Sequence, residues 1–212
     1  MKHYVVTIAR GFGSGGRSIG KQLAEELGIH FYEREILKKA SEASGIKEQY
    51  FWEHDEKLSR KMKYFPSDSF KETDVLFPEN RKFISQDELF SEQAKIIAKL
   101  AETESCVIVG KCADYVLREY DNVLTVYIDA PIQACIQSIQ QKMSIYPSEA
   151  ERIIRKTDKY RRAYYKYYTK REWKDPVNYD LFLNSEKLGR HRCVELLKWC
   201  VWDKFGEKEE AQ

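Results

Sequence analysis

The sequence predicts an α/β fold in which a parallel sheet is covered by helices on both faces. Three observations carry this. Short β-branched and aliphatic runs alternate with segments of helical period. The runs at 106–110 (CVIVG) and 123–128 (VLTVYI) show no polar alternation, as strands buried on both faces require. A glycine cluster joins the first run directly to the first helical segment.

Tyr4 to Ala9 (YVVTIA) reads as the first strand. Ile19, Leu23, Ala24 and Leu27 set a helical stripe over Ser18 to Leu27, with Gly28 as its stop. Ile29 to Tyr32 is a short second strand, followed by a helix from Glu33 to Ala43 closed by Gly45. Residues 46–84 hold Pro66 and Pro78 and no steady period, so they read as an irregular insert or cover and not as a domain. Phe51, Trp52, Phe65 and Phe70 in or beside it either stack a base or, the simpler reading, anchor it to the core.

Ser85 and Glu88 form a capping box for a helix to about Glu102, and Cys106 to Gly110 is the third strand. The fourth, Val123 to Ile128, ends at Asp129, and Pro131 suits the first turn of the next helix. Ser148 and Glu151 suggest a second capping box, opening a basic helical region that runs to about Trp173. Tyr179 to Leu183 is the fifth strand, and a last helix spans Arg190 to Phe205, with Trp199 and Trp202 read as packing. The 212 residues suit a single domain around five parallel strands.

Composition narrows the function. Lys and Arg total 36 against 34 Asp and Glu, so net charge offers no case for a nucleic-acid or membrane partner. The five cysteines form no C-x-x-C pair and read as reduced, mostly buried thiols. The four histidines have no zinc-site spacing. No run approaches the ~20 apolar residues that span a bilayer. The first strand begins too early to leave room for a signal peptide, which points to a cytoplasmic protein.

Gly11, Phe12, Gly13, Ser14, Gly15, Gly16, Arg17 and Ser18 match the phosphate-loop pattern G-x-x-x-x-G-K-[ST], except that arginine replaces the lysine. Glycines let backbone N–H groups turn inward around phosphate oxygens, and the helix N-terminus adds its positive dipole end. The cation after the last glycine would reach the β- and γ-phosphates of ATP, and the Ser18 hydroxyl would ligate Mg²⁺. Asp129 would orient the same ion through water, or else simply cap the helix after Pro131. Gly11, Gly13 and Gly16 also spell the dinucleotide pattern G-x-G-x-x-G, with Glu33 where a ribose-binding acid belongs. Ser18 and the late arginine cluster favour the phosphate loop.

Five stretches together resemble the cytidylate kinase-like branch of the nucleoside monophosphate kinases. They are Val5 to Leu37, Cys106 to Leu117, Val126 to Pro131, Arg155 to Thr169 and Asn178 to Ser185. The resemblance implies a P-loop three-layer sandwich with a helical lid at about 148–173, and transfer of the ATP γ-phosphoryl group to a nucleoside monophosphate, CMP or dCMP first. It also places the acceptor grip after the second and third strands, at Glu33, Arg34 and Lys111, and makes Arg17 usual for the branch. Gly110-Lys111-Cys112 stands where cytidylate kinases carry Gly-Arg-Asp, and Cys135 where an arginine is expected.

Nine Lys and Arg lie from Arg152 to Arg171, interleaved with tyrosines. Arg155, Asp158, Arg161 and Arg162 best match the lid pattern, whose cations would close over the transferring group. A plainer reading is an exposed helix with ion pairs Arg155–Asp158 and Asp158–Arg162. A nucleic-acid surface is a third reading, opposed by the near-neutral total charge. Gln93 reads first as a partly exposed helix residue and second as a group on a base edge. The expected ligands are therefore small-molecule nucleotides; oligomeric state is left open.

Overall fold

The computed structural model describes residues 3–51 and 85–206. Five parallel strands, β1 (Val5–Arg10), β2 (His30–Tyr32), β3 (Cys106–Val109), β4 (Val123–Asp129) and β5 (Leu181–Asn184), form one sheet in the order β2-β3-β1-β4-β5. The helices are α1 (Gly16–Leu27), α2 (Glu35–Ser44), α3 (Gln86–Thr103), α4 (Ala113–Val116), α5 (Ile132–Met143), α6 (Pro147–Thr169), α7 (Ser185–Leu188) and α8 (Arg190–Phe205).

Strand period explains the layers. Along β1 and β3, Val6, Ile8, Val107 and Val109 face one side, where they pack with Ile19 and Leu23 of α1 and Val194 and Leu197 of α8. Val5, Cys106 and Ile108 face the other side, against Ile97, Leu100 and Ala101 of α3. Both faces are covered, so β3 is hydrophobic at every position and β1 at all but Thr7 and its last residue, Arg10. The central strand β1 pairs with β3 and β4 in parallel register, Val5 opposite Cys106 and Val123. Because β1 lies between strands that come later in the chain, the loops after β1 and β3 open a crevice at the carboxyl edge of the sheet. Gly11, Glu33 and Lys111 follow strand ends at that edge, and Asp129 is the last residue of β4 there.

Helix ends follow local chemistry. Gly28 and Gly45 close α1 and α2 in left-handed conformation, and Ser85 Oγ accepts the Glu88 N–H at 3.1 Å, as the sequence predicts. Elsewhere the structure differs. The cap of α6 is Tyr146, with Pro147 in the first turn and no side-chain cap bond, so Ser148 caps nothing. That helix stops at Thr169, where Lys170 turns left-handed (φ 59°), short of Trp173. Trp173 is buried instead in the return loop, edge-on to Tyr127 at 5.4 Å. The fifth strand starts at Leu181, because a 3₁₀ turn at Pro176–Asn178 takes up the preceding residues.

Two side-chain expectations are corrected. Trp199 and Trp202 are 57% and 64% exposed. The stripe Cys193, Val194, Leu197 and Val201 faces the sheet, and at 3.6 residues per turn the two tryptophans fall on the opposite side. Gln93 is 2% exposed and is fully part of the inner face of α3. At the start of the 46–84 segment, Ile46 and Phe51 pack with Leu37, Ala40 and Leu89, so Phe51 anchors. Trp52, Phe65 and Phe70 lie outside the described residues. All five cysteines are free, four of them buried.

Candidate nucleotide and acceptor site

The loop between β1 and α1 turns on two left-handed glycines, Gly13 (φ 89°) and Gly15 (φ 82°). Gly15 is the N-terminal cap of α1, so the first free N–H groups of that helix face the loop. Buried Ser14 ties the turn down: its hydroxyl lies 2.9 Å from Gly11 O and 3.0 Å from Ile128 O. Ser185, a residue the sequence reading missed, donates from α7 to Ser14 O at 2.6 Å and lies 3.1 Å from Asp129 O. Cys135 stands where an arginine was expected, and it packs on the loop. A β-carbon on Gly13 would meet its O, Cβ and Cα at 2.9–3.1 Å. Burial pushes its thiol up to about 11, which keeps it a neutral packing group.

A cleft of about 150 Å³ beside this loop is lined by Gly13, Ser14, Gly15, Ala134, Ser138 and Arg190. The loop amides, the start of α1 and this cleft are contiguous.

From α6, two of the four lid candidates reach the loop. Asp158 accepts the Phe12 N–H at 2.9 Å, and Arg161 Nη1 donates to Arg10 O at 3.1 Å while lying 5.4 Å from the Phe12 ring centre. Burial, only partly offset by the Phe12 N–H and Arg161, holds the Asp158 carboxyl above its ordinary range. Burial and the nearby Arg10 guanidinium lower Arg161 in turn, to about 9, which leaves it charged at neutral pH. The other two candidates are elsewhere. Arg155 is 68% exposed and pairs with Glu151 at 2.6 Å, and Arg162 is exposed. The predicted pairs Arg155–Asp158 and Asp158–Arg162 therefore give way to Arg155–Glu151 and to Asp158 on the loop. The one-residue geometry of the helix turns 158 and 161 inward and 155 and 162 outward.

Asp129 lies at the loop mouth: its Oδ1 would sit 2.5 Å from a β-carbon on Gly11. The same oxygen accepts Ala130 N–H at 3.0 Å, and Oδ2 holds Lys174 at 2.7 Å. Ser18 is half-buried in the first turn of α1. A hydroxyl and a carboxylate beside the loop are the hard oxygen donors that suit Mg²⁺, so the residues fit that ion. Among the described residues, no three His, Cys, Asp or Glu side chains cluster as a metal site.

The acceptor-side residues gather at the ends of β2 and β3. Glu33 bridges two arginines, Arg10 at 3.1 Å and Arg17 at 2.5 Å. Burial raises its carboxyl, but the two guanidiniums outweigh that and hold it below its ordinary value. Arg17, the motif cation, thus points to Glu33, with 64% of its side chain exposed. Arg10 is a second residue the sequence reading missed; it ends β1, and a β-carbon on Gly110 would fall 2.3 Å from its Nη1.

After β3 the backbone is left-handed at three successive residues: Gly110 (φ 80°), Lys111 (φ 59°) and Cys112 (φ 53°). For the two non-glycines this costs roughly 1–2 kcal/mol each. Lys111 is half-buried beside the crevice, and Cys112 is buried, its thiol raised by burial. Next in sequence, buried Asp114 accepts the Tyr165 hydroxyl at 2.7 Å, fastening α4 to the lid helix. On α3, Gln93 Oε1 is buried with no hydrogen-bond partner among the described residues, and so is the Tyr127 hydroxyl on β4. Arg34 is exposed at the cap of α2.

A strand, a glycine loop and a helix N-terminus beside the basic helix α6 define a nucleotide-binding, kinase-like P-loop protein. Within that class, the chain belongs to the cytidylate kinase-like family, whose model matches residues 5–187. No curated protein matches the sequence. Among solved structures, an uncharacterized protein from Eubacterium ventriosum is 21% identical with a TM-score of 0.69, over 94% of this chain and 98% of that one. A sugar kinase from Janibacter is 14% identical with a TM-score of 0.52, over 96% of each chain. A shikimate kinase from Acinetobacter baumannii, solved with shikimate, is 11% identical with a TM-score of 0.51, over 96% of this chain and 95% of that one. These likenesses show the fold. No helix among the described residues is long and apolar enough to cross a membrane.

Proposed function

We propose that this protein transfers the γ-phosphoryl group of ATP to a nucleoside monophosphate, CMP or dCMP first. The observation that most supports this is the junction of loop and lid: Arg161 on Arg10 O and Asp158 on Phe12 N–H. It buries Arg161 beside the Arg10 guanidinium, so that burial first and like-charge repulsion second lower the proton affinity of Arg161. Such a pair is relieved by an anion between them, and transferring phosphate is one.

In this reading the amides of Gly13 to Ser18 hold the β-phosphate, and the cleft by Ala134 and Ser138 takes the donor nucleoside. Ser18 and Asp129 would hold Mg²⁺, which would supply positive charge against the phosphates. Arg17 reaches the β- and γ-phosphates by leaving Glu33. Arg161 neutralises the transferring group, while closure of α6 excludes water that would otherwise hydrolyse ATP. Lys111 and Arg34 bind the acceptor phosphate beside Glu33. The orphaned Gln93 Oε1 accepts an N–H or O–H of the acceptor, a bond that would remove its desolvation penalty. Arg155 and Arg162 join only if α6 moves, since neither faces the loop.

Both Glu33 oxygens pair with arginines, cations that a neutral ribose hydroxyl does not call for, which disfavours a dinucleotide enzyme. The test is ADP formation from Mg·ATP with CMP, dCMP, UMP, AMP, GMP, shikimate and pantothenate, against an acceptor-free control. ADP with CMP or dCMP supports the proposal. ADP with another acceptor keeps the kinase and replaces the substrate. ATP binding without transfer to any acceptor would make the protein a nucleotide-binding relative of the kinases.

A further inference from the structure

One cation at the loop mouth belongs to neither the loop nor the lid match. Lys174, on the segment returning from α6 to β5, places its ammonium 2.7 Å from Asp129 Oδ2. Asp129 Oδ1 borders Gly11, the first residue of the loop. Asp158, bound to the Phe12 N–H, brings a second carboxylate to the same rim, and its carboxyl feels both Lys174 and Asp129. Meanwhile Arg17, the residue that should carry the loop cation, is engaged by Glu33.

Two carboxylates at the rim of an anion-binding loop repel a polyphosphate. Here each has one cation: Arg161 stands 3.9 Å from Asp158, and Lys174 pairs with Asp129. Resting on the ATP-donor reading above, we propose that Lys174 is a ligand of the donor's terminal phosphates, held on Asp129 until nucleotide arrives. Binding is an exchange of partners. The ammonium leaves the carboxylate for phosphate oxygens, and the carboxylate is released toward the divalent cation that accompanies the nucleotide. No covalent bond changes and no proton moves. Lysine suits the exchange because its charge is compact and its stem is flexible, whereas a guanidinium fork holds one planar arrangement. A half-exposed clip between the return segment and β4 would stabilise the fold little, so stability alone gives Lys174 small purpose there.

The test is titration of ATP and AMP, without divalent cation, into wild type, Lys174→Ala, Lys174→Arg and Asp129→Asn, with thermal melts of each. Lys174→Ala should weaken ATP about tenfold or more and AMP by less than about twofold, the size expected for one charged hydrogen bond to a phosphate. Lys174→Arg should recover part of that loss. Asp129→Asn, which removes the competing carboxylate, should tighten metal-free ATP. Unchanged ATP affinity in Lys174→Ala, equal losses for ATP and AMP, or a loss of ATP in Asp129→Asn like that in Lys174→Ala would each overturn the assignment. If Lys174→Ala fails to fold, the opposite signs expected for the other two variants still decide it. Wild type that binds ATP neither with nor without Mg²⁺ would overturn the donor reading together with this one. Wild type that binds ATP as tightly as Lys174→Ala overturns this one alone.

Discussion

The proposed donor and acceptor halves of the site are held by different means. On the donor side, backbone geometry positions the atoms that count. Two left-handed glycines set the turn, and Ser14 and Ser185 bind main-chain carbonyls. The main chain and Cβ of Cys135 close the space beside Gly13. On the proposed acceptor side, side-chain charge does the holding: Glu33 bridges Arg10 and Arg17, and the buried Gln93 oxygen has no partner among the described residues. Phosphate is the same in every nucleotide, so a rigid backbone cradle can serve it. An acceptor must be recognised group by group, and side chains at strand ends can be exchanged without disturbing the sheet. The donor half should therefore fail abruptly on small steric changes, and the acceptor half gradually.

The largest effect is expected where the lid meets the loop. Arg161→Ala should lower kcat by about 10³-fold in single-turnover assays, the low end for an arginine inserted at a transferring phosphoryl group. Arg155→Ala, on the solvent side, should change kcat less than about twofold; equal losses would mean that α6 rotates on binding. Next, Gly13→Ala should weaken ATP by about 10²-fold in calorimetry, since its methyl would strike the backbone of Cys135. Gly15→Ala has open space at its β-carbon and only the left-handed strain, roughly 1 kcal/mol, so it should fold and bind far better. Similar losses at the two glycines would break the contrast between steric and conformational demands.

On the acceptor side, Gln93→Leu should raise the acceptor KM about tenfold with the KM for ATP unchanged. It should also raise stability slightly in urea melts, because an unpaired buried oxygen is removed. A stability loss would show that Gln93 supports the core instead. A separate effect, on stability and not on activity, concerns Asp114, whose carboxyl burial lifts to about 6 against the Tyr165 hydrogen bond. A carboxyl raised in the folded state contributes stability in full below its ordinary 3.8 and loses it as pH rises through about 6. Wild type should thus lose on the order of 3 kcal/mol from this group across that window. Asp114→Asn, which can still accept from Tyr165, should flatten this part of the pH profile in denaturant melts. An unaltered profile would place the titration on another group.

Much of this was legible in the residues. The glycine loop, the five strands, Gly28 and Gly45 as helix stops, and the Ser85 cap all follow from local rules, and these rules act over a few neighbouring residues. Where a second local feature competed, the reading slipped: Pro147 took the start of α6 from Ser148. The lid shows the limit more clearly. Four residues at 155, 158, 161 and 162 matched one pattern, yet only Asp158 and Arg161 face the loop. Sequence spacing says that 158 and 161 share a helix face, but not which face meets the protein.

Arg10, Lys174 and Ser185 went unseen for a related reason. Each stands at an ordinary strand end, loop or helix start, and its partner is 23, 45 or 171 residues away. What the sequence alone determined was the order of elements, the phosphate loop and the chemistry available around it, because backbone conformation and hydrophobic period are local properties. The tertiary structure decided which charges pair. Glu33 with two arginines, Lys174 with Asp129 and an unpaired Gln93 depend on distances across the sheet edge, and those arise only when strands far apart in the chain lie side by side.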